Sequence, residues 1–229
     1  MAVSRGPHAL DTMLGEYNQF PRKLSMAAPH ANAQAQALDI FRTNGGILHT
    51  SQALRLGIHP RTFYALRDAA RLERMERGLY RLARSKPIAN PDLVIATLKV
   101  PRGILCLISA LSFHRMTTQV PHAVYLAVPA NDQVPALQYP PLRLFWYSRA
   151  VYENGILETR LDGRRLRVYS PEKTLADCFK YRNKLGIDVC VEALKLYRRR
   201  GRMKMDMLER YARLCRVERV MRPYLEAVL

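Results

Sequence analysis

An α+β fold in two units is what this sequence predicts, and three observations carry the prediction. Apolar residues at helical spacing run from Leu38 to about Ala70, and a short alternating ribbon closes on Arg77-Gly78 directly after them. The stretch "SKPIANPD" then interrupts the pattern with two prolines and an Asn. Beyond it, strand-like runs occupy the middle and helical runs both ends, which is a mixed α/β unit ending in helices. The 229 residues, 48% hydrophobic, suffice for one large domain or two small ones with a core each.

Residues 1–34 read as a flexible arm, with scattered Pro and Gly and the Ala/Gln-biased "AAPHANAQAQ". The competing reading is a helix that begins early, since Ala and Gln favour helices. Leu38 and Phe41 share one face of a first helix that stops at Asn44-Gly45-Gly46. Ile47 and Leu48 open an apolar segment, Thr50 or Ser51 can cap, and Gln52 to Leu56 form a short helix ended by Gly57. Ile58 is an apolar anchor, and Pro60 suits a first helical turn, where a missing N–H costs nothing. The third helix runs to about Ala70, with Phe63, Leu66 and Ala70 as its core stripe. At ~100° per residue, Arg61 and Asp68 point almost opposite that stripe, with Tyr64 and Ala65 beside them. Leu72 to Met75 and Leu79 to Leu82 read as two strands about an Arg77-Gly78 turn. Three helices and a two-stranded wing make a winged helix-turn-helix, assigned to residues 35–86.

The second unit takes residues 87–229, after a linker at Ser85 to Pro91. Asp92 to Val100 and Ile104 to Met116 read as helices, and "AVYLAVP" and "LRLFWYS" as buried strands. "ILETRLDGRRLRVYS" alternates about Asp162-Gly163, a strong hairpin signal. Ser170-Pro171-Glu172 opens a helix to about Leu185, and further helices fit Ile187 to Arg200 and Lys204 to Val228.

Charge narrows the partner class. Lys and Arg number 37 against 19 Asp and Glu, a net +18, and such a field attracts polyanions, nucleic acid first among them. No apolar run is long enough to span a bilayer, so no membrane role is expected. The first residues lack the layout of a secretory signal, because Asp11 and Glu16 interrupt them; a cytoplasmic location is expected. Cys106, Cys178, Cys190 and Cys215 form no C-x-x-C pair and sit among apolar residues, which suits small buried hydrophobes in a reducing compartment. No metal or cofactor is implied: zinc-ligand spacing, a phosphate loop and a dinucleotide fingerprint are all missing.

"GGILHTSQALRLGIHPRTFYALRDAARLERMERGLYRLA" resembles the N-terminal domain of the AbiEi antitoxins, the antitoxin-repressors of bacterial type IV toxin–antitoxin (abortive infection) systems. "SPEKTLADCFKYRNKLGIDVCVEALKLYRRR" is similar to the helical end of that family's C-terminal domain. The resemblance implies a repressor of its own toxin operon, binding double-stranded operator DNA with inverted repeats. It also implies a C-terminal antitoxin domain that counters a nucleotidyltransferase-like toxin, with or without direct binding. A solitary regulator of the same family fits the same resemblance.

In such a unit the third helix enters the major groove N-terminal end first. Arg61 is placed for a bidentate contact to guanine, Thr62 for a phosphate or base edge, Tyr64 for a phosphate and Ala65 for a thymine methyl. His59 sits at the cap, where a phosphate can approach the helix N-terminus. Arg67 lies nearer the buried flank, and two readings stand for it: a stem packed on the core with Asp68 or Glu73 as a local acidic partner, or a DNA contact. Arg74 and Arg77 flank the wing turn and suit the DNA backbone or minor groove. A second basic cluster comprises Lys195, Arg198, Arg199, Arg200, Arg202 and Lys204. Two readings of it stand: cations that complement a helix C-terminus, or a second surface for DNA phosphates or an acidic partner. No catalytic residue is assigned. Asp162 with Glu172-Lys173 offers the alternative of a metal-dependent nuclease targeted by its winged helix, but an Asp-Gly turn and a helix first turn account for both acids.

Overall fold

A computed structural model describes residues 27–134, 136–201 and 203–228. It opens with α1 (Ala27–Thr43), β1 (Ile47–His49), α2 (Thr50–Arg55), α3 (Pro60–Asp68), β2 (Leu72–Glu76) and β3 (Leu79–Leu82). The start of α1 corrects the expectation of an arm through residue 34: over 27–34 the Ala/Gln bias produces helix, and residues 1–26 lie outside the described residues. α1 ends where Gly45 and Gly46 both adopt φ +77, which an L side chain resists. His49, not Thr50 or Ser51, caps α2: its Nδ1 accepts from the Ser51 N–H at 3.3 Å. α3 stops at Asp68 and Ala70 turns left-handed, so Ala70 is exposed rather than part of the core stripe. Phe63 and Leu66 fill that role, fully buried with Leu38, Phe41, Leu48, Leu72 and Tyr80.

The three strands form one antiparallel sheet in the order β1-β3-β2. Its alternation sends Leu48, Tyr80 and Leu72 toward α1–α3, and Ile47 and Leu79 to the opposite face. A bulge between Arg74 and Glu76 pairs Glu76 with Leu79. That extra residue turns the Glu76 carboxylate to the face carrying Leu79, and Glu76 is buried there.

The second unit contains α4 (Pro91–Lys99), β4 (Ile104–Leu105), α5 (Leu107–Phe113), β5 (Val124–Pro129), β6 (Leu142–Tyr147), α6 (Arg149–Tyr152), β7 (Ile156–Leu161) and β8 (Arg164–Tyr169), followed by α7 (Pro171–Lys180), α8 (Arg182–Leu185), α9 (Ile187–Arg199), α10 (Met205–Leu214) and α11 (Glu218–Val228). Its sheet has the order β6-β5-β4-β8-β7, with parallel β5–β6 and β4–β8 pairs. Ile104 to Met116, expected as one helix, divides into β4 and α5. A run buried on both faces has no period to separate strand from helix: Ile104 packs in the cluster with α5 and α7–α11, Leu105 in the one with α4. The β7–β8 turn at Asp162-Gly163 has positive φ at both residues, as a type I′ hairpin needs. Ser170 caps α7 by accepting from the Lys173 N–H. The helix expected over Lys204 to Val228 is broken at Arg216, φ +59.

The two units share buried contacts. Ile47 and Leu79 of the small sheet pack on Val94 and Ile95 of α4. Arg164, opening β8, donates one terminal nitrogen to the carbonyls of Gly45 and Ile47, each at 3.0 Å. No helix among the described residues is long and apolar enough to cross a membrane.

Candidate nucleic-acid interface

The inner face of α3 is taken by Phe63 and Leu66, and Arg61, Tyr64, Arg67 and Asp68 lie exposed off that stripe. Arg61 and Tyr64 are exposed; Thr62 and Ala65 are half-buried on the flanks. His59 is the N-cap, and its Nδ1 accepts from the Arg61 N–H at 3.2 Å. A neutral ring accepting at Nδ1 carries its proton on Nε2, so the cap leaves one outward donor on an exposed side chain. Arg67 is neutralised locally: its Nε donates to Asp68 Oδ1 at 2.8 Å, and its guanidinium lies 4.8 Å over the Tyr64 ring. Arg61 has no acidic partner among the described residues, so α3 presents one free guanidinium near its N-terminal end and one occupied further along.

At the β2–β3 hairpin, Arg74 and Arg77 are exposed and without acidic partners among the described residues, whereas Arg81 pairs with Glu73 at 2.6 Å. Gly78 holds φ +73, and a Cβ there would come 2.9 Å from His49 Nε2. The Gly78 carbonyl accepts from the Thr50 N–H at 2.8 Å, which ties the turn to the start of α2. The His49 ring, packed against Gly78 and half-buried, is held below the usual imidazole range by burial and then by the Lys99 charge.

The second basic cluster lies at the end of α9 and beyond, and α9 packs on α7, α8 and α11 rather than on the first unit. Lys195, Arg198, Arg199, Arg200 and Lys204 are exposed, while Arg202 lies outside the described residues. Arg200 donates to the His114 carbonyl at 2.8 Å, so part of its guanidinium closes the end of α5. Glu172 and Asp162 stand at opposite ends of β8, about 17 Å of strand at ~3.3 Å per residue. Glu172 is buried and accepts from the Tyr197 hydroxyl at 2.7 Å; Asp162 is exposed in its turn. Among the described residues no group of three His, Cys, Asp or Glu side chains is placed to hold a metal.

Sequence reasoning missed Glu76, Lys99 and Arg164. Lys99 Nζ stands 2.8 Å from Glu76 Oε2 and 2.5 Å from the Arg77 carbonyl. No local pattern announces such contacts, since their partners are distant in the chain.

Residues 36–83 match the family model of the AbiEi antitoxin transcriptional regulators. The match covers the first unit and none of the second. The match spans α3 and the β2–β3 turn, the two elements that carry the exposed arginines. The match agrees with the resemblance seen in the sequence, and the matching family's description as transcriptional regulators fits a unit with free cations. No curated protein matches the chain significantly.

Proposed function

We propose that this chain is a cytoplasmic antitoxin and transcriptional repressor that binds the operator of its own type IV toxin–antitoxin operon. In this reading residues 35–86 are a winged helix-turn-helix and residues 87–229 an antitoxin domain that counters a nucleotidyltransferase-like toxin. α3 enters the major groove of an inverted-repeat operator. Arg61 reads a base edge, with Thr62 and Ala65 beside it, and His59 Nε2–H and Tyr64 meet phosphates. Arg74 and Arg77 hold the backbone beside the wing. Lys195, Arg198, Arg199, Arg200, Arg202 and Lys204 offer a further surface for phosphates or an acidic partner. The observation that supports this best is the pairing pattern on α3 and the wing: Arg67 and Arg81 are neutralised in place, while Arg61, Arg74 and Arg77 stay exposed and unpaired among the described residues. The family match covers the same residues.

Fluorescence anisotropy with a duplex from upstream of the gene, against a scrambled duplex at matched salt, tests the reading. Arg61→Ala should reduce discrimination by about 1–3 kcal/mol. Arg77→Ala should weaken both duplexes alike and lower the salt slope by about 0.9. Equal wild-type affinity for the two duplexes would refute sequence-specific repression.

A further inference from the structure

We propose that Lys99, in the last turn of α4, is a positioning residue for the wing: the second unit sets how Arg77 is presented to nucleic acid. The proposal rests on the nucleic-acid reading above and adds a residue outside the DNA-reading unit to it.

The wing turn is held at both of its residues, by different units. Gly78 is held from within: its carbonyl accepts from the Thr50 N–H, and the His49 ring packs where a side chain would stand. Arg77 is held from outside. The Lys99 ammonium donates to its carbonyl at 2.5 Å and forms an ion pair with the Glu76 carboxylate at 2.8 Å. The side chains of Lys99 and Glu76 are only 15% and 6% exposed. The contact exists because of the β2 bulge, which turns Glu76 to the α4 face of the sheet. Ile47, Leu79, Val94 and Ile95 bring α4 against that face. Lys99 uses the backbone of Arg77 and leaves its guanidinium exposed, so it fixes where the arginine starts without competing for its charge. Arg164 makes a parallel contact at the Gly45 turn, which anchors the other end of the sheet.

The test uses the full-length chain and two readouts. Amide hydrogen exchange reports on the wing, and anisotropy with the upstream and scrambled duplexes reports on binding. Lys99→Met should speed exchange across residues 76–80 by about tenfold and leave residues 60–68 within about twofold, because only the turn loses its anchor. It should weaken both duplexes by roughly fivefold with their ratio unchanged, since a wing positions rather than specifies. Lys99→Arg, which keeps a cation in reach, should restore both. Lys99→Met with Glu76→Leu leaves no uncompensated buried charge; it should reproduce the loss if the carbonyl contact matters, and it guards against a fold lost to the single change. Unchanged exchange across 76–80 overturns the clamp. Faster exchange with unchanged binding overturns the positioning role. A wild-type chain that binds neither duplex refutes the nucleic-acid reading and the positioning role with it, while exchange still shows whether Lys99 holds the turn.

Discussion

Replacing Asp177 with Ala strips the carboxylate from a cation that has no exposed surface. Lys173 and Asp177 sit one turn apart on α7, both fully buried, with Nζ 2.6 Å from each carboxylate oxygen. The Cys215 thiol donates to Oδ1 at 3.3 Å, and Nζ stands 4.3 Å over the Tyr169 ring and 5.1 Å over the Tyr147 ring. In Asp177→Ala the ammonium keeps only these ring faces, worth about 0.5–2 kcal/mol each, against a desolvation cost of several kcal/mol. The expected loss is about 3–5 kcal/mol of stability. In a unit of this size that lowers Tm by roughly 6–20 °C. Lys173→Met should cost a similar amount, because it strands the carboxylate instead. The double variant removes both charges and should cost less than the sum of the singles by about 2 kcal/mol or more. Urea unfolding followed by the fluorescence of Trp146, the single tryptophan and the neighbour of buried Tyr147, measures all three. Single losses below about 1 kcal/mol, or an additive double variant, would refute the claim that these are mutually compensating buried ions.

Two further outcomes are expected beside those already given for Arg61, Arg77 and Lys99. Gly78→Ala and Gly163→Ala impose similar backbone strain, at φ +73 and +77, but only Gly78 has a neighbour, His49, inside contact distance of an added Cβ. Gly163→Ala should cost about 1–2 kcal/mol and Gly78→Ala more, and equal urea midpoints would remove His49 packing from the explanation. His49 and His114 are both held below the ordinary 6.5, chiefly by burial, so the unfolded chain takes up their protons first as pH falls. Stability should decline as pH drops through 6.5, a trend that urea midpoints between about pH 7.5 and about pH 5.5 would follow. His114→Gln should flatten that decline, and an unchanged slope would exclude His114 as a source.

Legibility in the sequence followed locality. Phe63 and Leu66 were readable as core because a helix repeats every 3.6 residues, and Asp162-Gly163 as a turn because few residues accept positive φ. For Arg67 the sequence left a DNA contact and a local acidic partner both open, and the structure pairs it with Asp68. The helix start at Ala27 was open to either reading, since composition favours a helix without marking where it begins. Ile104-Leu105 was misread because a strand buried on both faces shows no alternation. Glu76 could not be recognised as buried: its orientation depends on a one-residue bulge, and nothing in "LERMERGLY" marks where the ladder slips.

By itself the sequence determined the helix, helix, helix, ribbon order of the first unit, the basic character, and Phe63 and Leu66 as the core of α3 with Arg61 and Tyr64 outside it. These follow from periodicity, turn chemistry and charge, which act over a few residues. Tertiary structure alone decided that α4 covers the second face of the small sheet, that Lys99 holds the Arg77 carbonyl, that Arg164 holds the Gly45 turn, and that Lys173 and Asp177 are sealed among Tyr147, Tyr169 and Cys215. Most of these contacts join residues far apart in the chain, and even the i, i+4 pair on α7 takes its burial from other elements. Their geometry exists only once both cores have closed.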